Sequence, residues 1–374
     1  MGVQDVQEII KSCRFCFMCR HACPTFLATK LDSHTPRGYA LLLSRIAEGY
    51  RDWTPETMDR FYQCSQCGLC REDCEYHWQE DELVRHAREE IVQQNRTPER
   101  VAQIATALIR NGTPYQDKDK LSDIPQEIIG KKQAEVLYFA GCSTRHSHSA
   151  LIEALAKIFR TAGIEWTMLE DEGCCGTSLY ELGYTEAAKA TAHTLASKIT
   201  EATPKILLTG CPHCLRAFKE FYAQWELGFD PDIPILHTSQ YLARLLTEGR
   251  LHLNGKVDLS AVCYHDPCQL GRKMQEYDAP RQLIEIVTGQ APRELFHHKA
   301  LAECCGAGSV MFLTDPEIAS KVAGKRLERI AETGADRIIT ACQNCKTILL
   351  AAQNGADQVF SVMDIVELVA AKIS

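Results

Sequence analysis

Cys13-Arg14-Phe15-Cys16-Phe17-Met18-Cys19-Arg20-His21-Ala22-Cys23-Pro24 is a C-x2-C-x2-C-x3-C-P run, and the same cysteine spacing returns at Cys64, Cys67, Cys70 and Cys74. Three thiols at successive two-residue spacings let one short loop wrap an iron–sulfur cluster and reach three of its irons, while the fourth thiol points away from that loop. Zinc is the competing use of clustered cysteines, but structural zinc sites show ligand pairs separated by a longer gap. Pro24 closes the first run, and Glu75 stands at the equivalent place after the second, a departure that removes no ligand.

The surroundings of both runs read as helix. Val3, Val6, Ile9 and Ile10 form an apolar stripe at helical spacing that leads into the first loop. The forty residues 24–63 separate the two runs, and Tyr39-Ala40-Leu41-Leu42-Leu43-Ser44-Arg45-Ile46 within them is predicted to be helical. Leu83, Ala87 and Ile91 continue the pattern, and Thr97-Pro98 is expected to cap and begin a helix that ends near Gly112. The region resembles the α-helical two-cluster ferredoxin domain of succinate dehydrogenase iron–sulfur subunits. In ferredoxins of this kind the fourth cysteine of each run serves the other cluster. That rule groups Cys13, Cys16, Cys19 and Cys74 around one cubane 4Fe-4S cluster, and Cys64, Cys67, Cys70 and Cys23 around a second. The polar segment 113–132, carrying Pro114 and Pro125, reads as a linker.

The remainder contains an internal repeat. One copy runs Val136-Leu137-Tyr138-Phe139-Ala140-Gly141-Cys142, then Cys174-Cys175-Gly176, then Lys205-Ile206-Leu207-Leu208-Thr209-Gly210-Cys211-Pro212-His213-Cys214. The other runs Val262-Cys263-Tyr264-His265-Asp266-Pro267-Cys268, then Cys304-Cys305-Gly306, then Arg337-Ile338-Ile339-Thr340-Ala341-Cys342-Gln343-Asn344-Cys345. Short apolar runs alternate with helical stretches, such as 151–159 and 317–330, which predicts parallel βαβ units with each cysteine group at the end of a strand or in a loop. The expected boundaries are 1–112, a linker at 113–132, 133–255 and 256–374, an α+β multidomain chain.

Each copy supplies five cysteines, one more than a zinc ion or a cubane needs. Adjacent cysteines diverge and chelate one metal poorly, but they can serve two irons of a larger cluster. The spacing C-x31-CC-x35-CxxC, then C-x35-CC-x36-CxxC, resembles the cysteine-rich CCG domain of heterodisulfide reductase. In that family five such thiolates hold a non-cubane 4Fe-4S cluster. The resemblance assigns Cys142, Cys174, Cys175, Cys211 and Cys214 to one such cluster, and Cys268, Cys304, Cys305, Cys342 and Cys345 to another. Of nineteen cysteines only Cys263 is left over, and within an apolar strand it reads as a small buried hydrophobe. His213 and His265 lie close enough in sequence to donate to a cluster sulfur.

Composition narrows the partners. A net charge of −8 argues against nucleic acid. Residues 11–51 carry seven Lys or Arg against two acids, while 52–100 carry six against twelve. Nineteen cysteines without an export signal or long apolar run point to a reducing compartment, so a cytoplasmic protein is expected, peripheral at most to the inner face of a membrane. No GxGxxG or P-loop is present, and Gly306-Ala307-Gly308-Ser309 lacks the third glycine and later acid of a dinucleotide loop. Electrons must therefore come from a partner.

Taken whole, the chain resembles the fused heterodisulfide reductase subunit, the glycolate oxidase iron–sulfur subunit and the small subunit of anaerobic glycerol-3-phosphate dehydrogenase. The resemblance implies a relay beside a separate FAD-containing dehydrogenase acting on a 2-hydroxy acid such as glycolate or lactate, or on a polyol phosphate, with a quinone or membrane subunit as outlet. The alternative is an enzyme that reduces a disulfide at the ten CCG cysteines. The relay is favoured because this architecture recurs in flavin dehydrogenases.

Overall fold

A computed structural model describes residues 7–115, 128–131, 134–228, 232–255, 261–354 and 358–373. Val3 and Val6 of the first stripe, and residues 116–127 and 132 of the expected linker, lie outside them.

Up to Gly112 the described chain is helical. Thr35 and Thr54 each accept a backbone N–H at a helix start, from Gly38 and Thr57, and each is followed by proline at the first helical position. The resulting helices, Pro36–Ala47 and Pro55–Tyr62, bury Tyr39, Leu43, Met58 and Phe61. The helix Glu80–Gln93 turns Leu83, Ala87 and Ile91 inward, as their spacing predicts. One boundary differs: Pro98, in an extended conformation (ψ 139°), is itself the cap, so the last helix is Glu99–Asn111 and Thr97 stands outside it. Gly112 ends that helix with a left-handed backbone (φ 69°).

Beyond this point the repeat folds twice into a parallel sheet. In the first copy β1 (Val136–Phe139), β2 (Trp166–Thr167), β3 (Ile206–Thr209) and β4 (Ile235–His237) line up as β2-β1-β3-β4. In the second, β5 (Val262–His265), β6 (Arg337–Thr340) and β7 (Ser361–Asp364) follow the order β5-β6-β7. A parallel bridge between Cys263 and Arg293 takes the place of β2 beside β5. The inner strands are continuously apolar because helices cover both faces of a parallel sheet; these include Ala150–Ala162, Thr185–Ala202, Asp278–Thr288 and Pro316–Ala331. Ile129, at the far end of the expected linker, bridges to Met168 beyond β2.

The three parts share cores. One apolar cluster joins Phe61, Leu83 and Ala87 of the helical domain to Leu179, Leu207 and Phe218 of the first copy. A second joins Tyr138 and Leu208 of the first copy to Tyr264, Ile339 and Val366 of the second. Arg88, fully buried, ties all three together. It donates to the carbonyls of Phe61 (2.8 Å) and Cys64 (2.6 Å), to the carbonyl of Glu181 (2.7 Å) in the first copy, and to Ser309 Oγ in the second. Gly308 meets the helical domain even more closely: a Cβ there would lie 2.2 Å from the Ser65 carbonyl oxygen, between two cysteines of the second loop.

Candidate metal centres

The two N-terminal loops share a backbone device. Phe15 and Gln66, each two residues after the first cysteine of its run, adopt positive φ (51° and 49°). This turns the Gln66 N–H onto Cys64 Sγ at 3.3 Å, and the Phe15 N–H faces Cys13 in the same way. Their surroundings differ. Cys16 is exposed and Cys13, Cys19 and Cys74 are partly so, whereas Cys64, Cys67 and Cys70 are buried. Burial pushes the Cys64 and Cys70 thiols up, and Glu80, itself pushed up to about 7 by burial, accepts from them at 3.4 and 3.2 Å. Such thiols give up their protons to a metal or not at all.

In the CCG copies the cysteines gather at the carboxyl ends of the strands, where parallel folds place their sites. Cys142 follows β1, Cys211 and Cys214 follow β3, and the Cys174-Cys175 pair comes in on the loop before the helix Thr177–Glu181. The second copy repeats this with Cys268, then Cys342 and Cys345, then Cys304-Cys305. The glycine after each pair is obligatory. Gly176 and Gly306 have φ of 89° and 96°, and a Cβ would stand 2.9 and 2.6 Å from the carbonyls of Ala188 and Ala319. The same turn directs the glycine N–H onto the first thiol of the pair, at 3.4 Å for Cys174 and 3.3 Å for Cys304. Cys305 and Cys345 lie 3.1 Å apart, sulfur to sulfur.

Within each group some thiols are acidified and their partners are pushed up: Cys211 and Cys342 are lowered, whereas Cys214 and Cys345 are raised. Cys211 is lowered to about 5 by its contact with Cys214 and by His213, and Cys342 is lowered to about 6 by Cys345 and by the same His213. The histidine of one copy therefore faces the thiols of both. Burial opposes its charge, but Cys211, Cys342 and the Glu181 carboxylate, 4.0 Å from Nε2, outweigh that and push it up. In the opposite direction Asn344, the counterpart of His213, accepts from Ser143 Oγ at 2.6 Å, next to Cys142. His265 takes a fixed role: Arg326 donates to its Nδ1 at 3.1 Å, which leaves Nε2 to carry the proton, and the ring lies within 4.8 Å of Cys305 and Cys345. Burial and Arg326 lower it to about 3, so it stays neutral.

The helical domain reaches the second copy. Cys67 lies against Cys304 and packs in one small cluster with Ala22, Leu69 and Cys268. Buried Arg272 stands beside this junction, donating to the Cys67 carbonyl at 2.9 Å; burial opposes its charge, but Cys67, Cys268 and Cys304 push it up. None of the nineteen cysteines, all described, is in a disulfide. Clustered sulfurs, N–H donors aimed at them and buried cations beside them fit anionic iron–sulfur clusters. Nothing in the spacing of the sequence points to Arg88, Arg272 or Gly308. Cys263 is fully buried in the second copy's core, and burial pushes its thiol up to about 12.

A helical pair of four-cysteine loops joined to two five-cysteine sheets defines a dicluster iron–sulfur protein with duplicated cysteine-rich domains. The family of 4Fe-4S dicluster domains matches residues 9–78, and the cysteine-rich CCG domain matches residues 136–219 and again 262–349. The chain is 28% identical to a subunit of the dihydromethanophenazine:CoB–CoM heterodisulfide reductase of Methanosarcina mazei, over 96% of this chain and 93% of that one. It is 27% identical to a probable membrane-anchored ferredoxin of Chromohalobacter salexigens (84% of this chain, 48% of that one). It is 25% identical to the EtfAB:quinone oxidoreductase of Syntrophomonas wolfei (83% and 46%). The crystal structure of a hypothetical protein from Helicobacter pylori superposes with a TM-score of 0.60 at 9% identity, covering the whole of this chain and 76% of that one, a likeness of fold. The chain belongs to the heterodisulfide reductase-like family of CCG iron–sulfur proteins and is an oxidoreductase subunit of that type. Among the described residues no helix is long and apolar enough to cross a membrane.

Proposed function

We propose that this chain is the electron-transferring subunit of a flavoprotein dehydrogenase complex. A separate FAD-containing dehydrogenase, oxidising a 2-hydroxy acid or a polyol phosphate, would supply electrons at the helical domain, and a quinone or another carrier would take them from the CCG copies. The cysteine groups would hold two cubane and two non-cubane 4Fe-4S clusters, each able to take up and release single electrons. The observation that carries this reading is the contact of Cys67 with Cys304 and Cys268, which brings a loop of the helical domain against the second CCG site, with His213 leading on to the first. Buried Arg272 offsets negative charge at that junction, and the N–H groups of Gly176 and Gly306 hold the paired thiols in place. The name of the Syntrophomonas relative, which specifies a quinone, supports the outlet.

Anaerobic iron analysis should find about sixteen irons per chain. The chain should co-purify with a flavoprotein and be reduced by it when the hydroxy acid or polyol phosphate is added. Rapid turnover of disulfides by the isolated chain with reduced viologen, without any flavoprotein, would overturn the relay in favour of disulfide chemistry.

A further inference from the structure

Of nineteen cysteines Cys16 alone is exposed, and exposed apolar side chains stand beside it in the chain. Phe17 and Met18, next in the chain, are 58% and 48% exposed, and Tyr76, from the second loop, is 63% exposed. Each ring carries a cation: the Arg37 guanidinium lies 4.0 Å from the centre of Phe17, and that of Arg14 lies 5.3 Å from Tyr76. Arg20 sits 4.7 Å over Phe26 and is paired with Asp32 at 3.2 Å. Apolar side chains left in water beside the one exposed cysteine mark a contact surface. The cations stacked on them are already ordered, which lowers the cost of binding.

We propose that the face formed by Arg14, Phe17, Met18, Arg20, Arg37 and Tyr76 around Cys16 is the docking surface for a redox protein that is acidic around its own exposed cofactor. This rests on the electron-transfer reading above. A chain of net charge −8 repels an acidic partner in general, whereas residues 11–51 carry seven cations against two acids. Arg14, Arg20 and Arg37 therefore favour an acidic partner at close range around Cys16, although residues 52–100, which bring Tyr76 to the face, carry six cations against twelve acids. Small, weak and polar-rimmed interfaces suit redox encounters, where the partner must leave after delivery. The step is one electron: the partner's cofactor is oxidised by one, the helical domain is reduced by one, and no bond or proton changes hands.

The test uses the full, iron-loaded chain under anaerobic conditions, with reduced flavodoxin as an acidic protein donor and methyl viologen radical as a small cationic one. The face variant Arg14→Glu/Arg20→Glu is compared with Lys321→Glu/Arg329→Glu, which makes the same charge change on an exposed helix of the second copy. Flavodoxin should react with the unaltered chain at a rate that falls steeply with salt, and about ten-fold or more slowly with the face variant, while the control stays within about two-fold. Viologen should reduce all three. Should the face variant lose iron, Phe17→Asp takes its place with the same expected loss. Equal rates for face and control variants overturn the proposal. So does a face variant that keeps its flavodoxin rate and loses only sedimentation with anionic phospholipid vesicles, which would make this a membrane contact. Failure of viologen to reduce even the unaltered chain would strike the electron-transfer reading itself.

Discussion

The two CCG copies have one scaffold and two environments. The order of the three strands both copies have, the five cysteines and the strained glycine after each pair are the same, yet Cys142 is partly exposed after Gly141, while Cys268, after Pro267, is buried under Ala22, Cys67 and Leu69. His213 in the first copy faces thiols of both, whereas its counterpart Asn344 accepts from Ser143 of the first copy. The helix-capping side chain at the end of the last strand is His237 in one copy and Asp364 in the other, each in a capping box. Duplication kept whatever holds the sulfurs in place; divergence altered what surrounds them. Both copies adjoin the helical domain: the second meets its second cysteine loop through Cys268 and Cys304, and the first packs Leu179, Leu207 and Phe218 against its helices.

The largest expected effect comes from removing the tie that both copies share. Arg88→Ala strands three buried carbonyls and should cost about 3–5 kcal/mol, seen as a fall in thermal stability with loss of iron from all sites. Unchanged stability would mean the three parts hold together without it. Next, Gly306→Ala and Gly176→Ala should each cost about 1–3 kcal/mol and empty one CCG site, as read by iron content and EPR. Gly306→Ala should be the worse, because its Cβ meets a carbonyl at 2.6 Å and not 2.9 Å.

A smaller contrast lies in the caps. Burial lifts Asp364 from 3.8 to about 7, among Gln343, Lys346, Glu367 and Cys342, and lowers His237 from 6.5 to about 4. Asp364 thus contributes stability that is full below pH 3.8 and is lost as pH rises through 7; His237 contributes stability present above 6.5 and lost as pH falls through 4. Asp364→Asn keeps a good cap and should gain on the unaltered chain by on the order of 1 kcal/mol between pH 5 and pH 8, measured by melting temperature. A parallel fall of both proteins with pH would contradict the assignment. The smallest effect is His213→Asn, which makes the first copy like the second. Iron content should hold, while the EPR signals of both copies shift; a shift confined to the first would show that the histidine serves its own copy alone.

Much of this site is legible in the sequence because its rules are local. Cysteine spacings, the repeated strand-and-loop pattern and the helical stripes all follow from the reach of a few consecutive residues, and the helix end at Gly112 follows from a residue type that accepts positive φ. The start expected at Thr97-Pro98 is off by one position because proline there takes an extended conformation. Gly308 looks in sequence only like a failed dinucleotide loop; its reason is a carbonyl that belongs to residue 65.

Residue order alone shows that the cysteines come in two loops and two duplicated groups of five, and that the duplicated domains are parallel sheets. How the groups adjoin is a matter of the folded molecule: Cys67 against Cys304, His213 between the two copies, Arg88 bound to Ser309 across 221 positions of chain. Spacing constrains residues that share a turn or a strand, whereas contacts between domains depend on shapes that exist only once each domain has folded and buried its own apolar face.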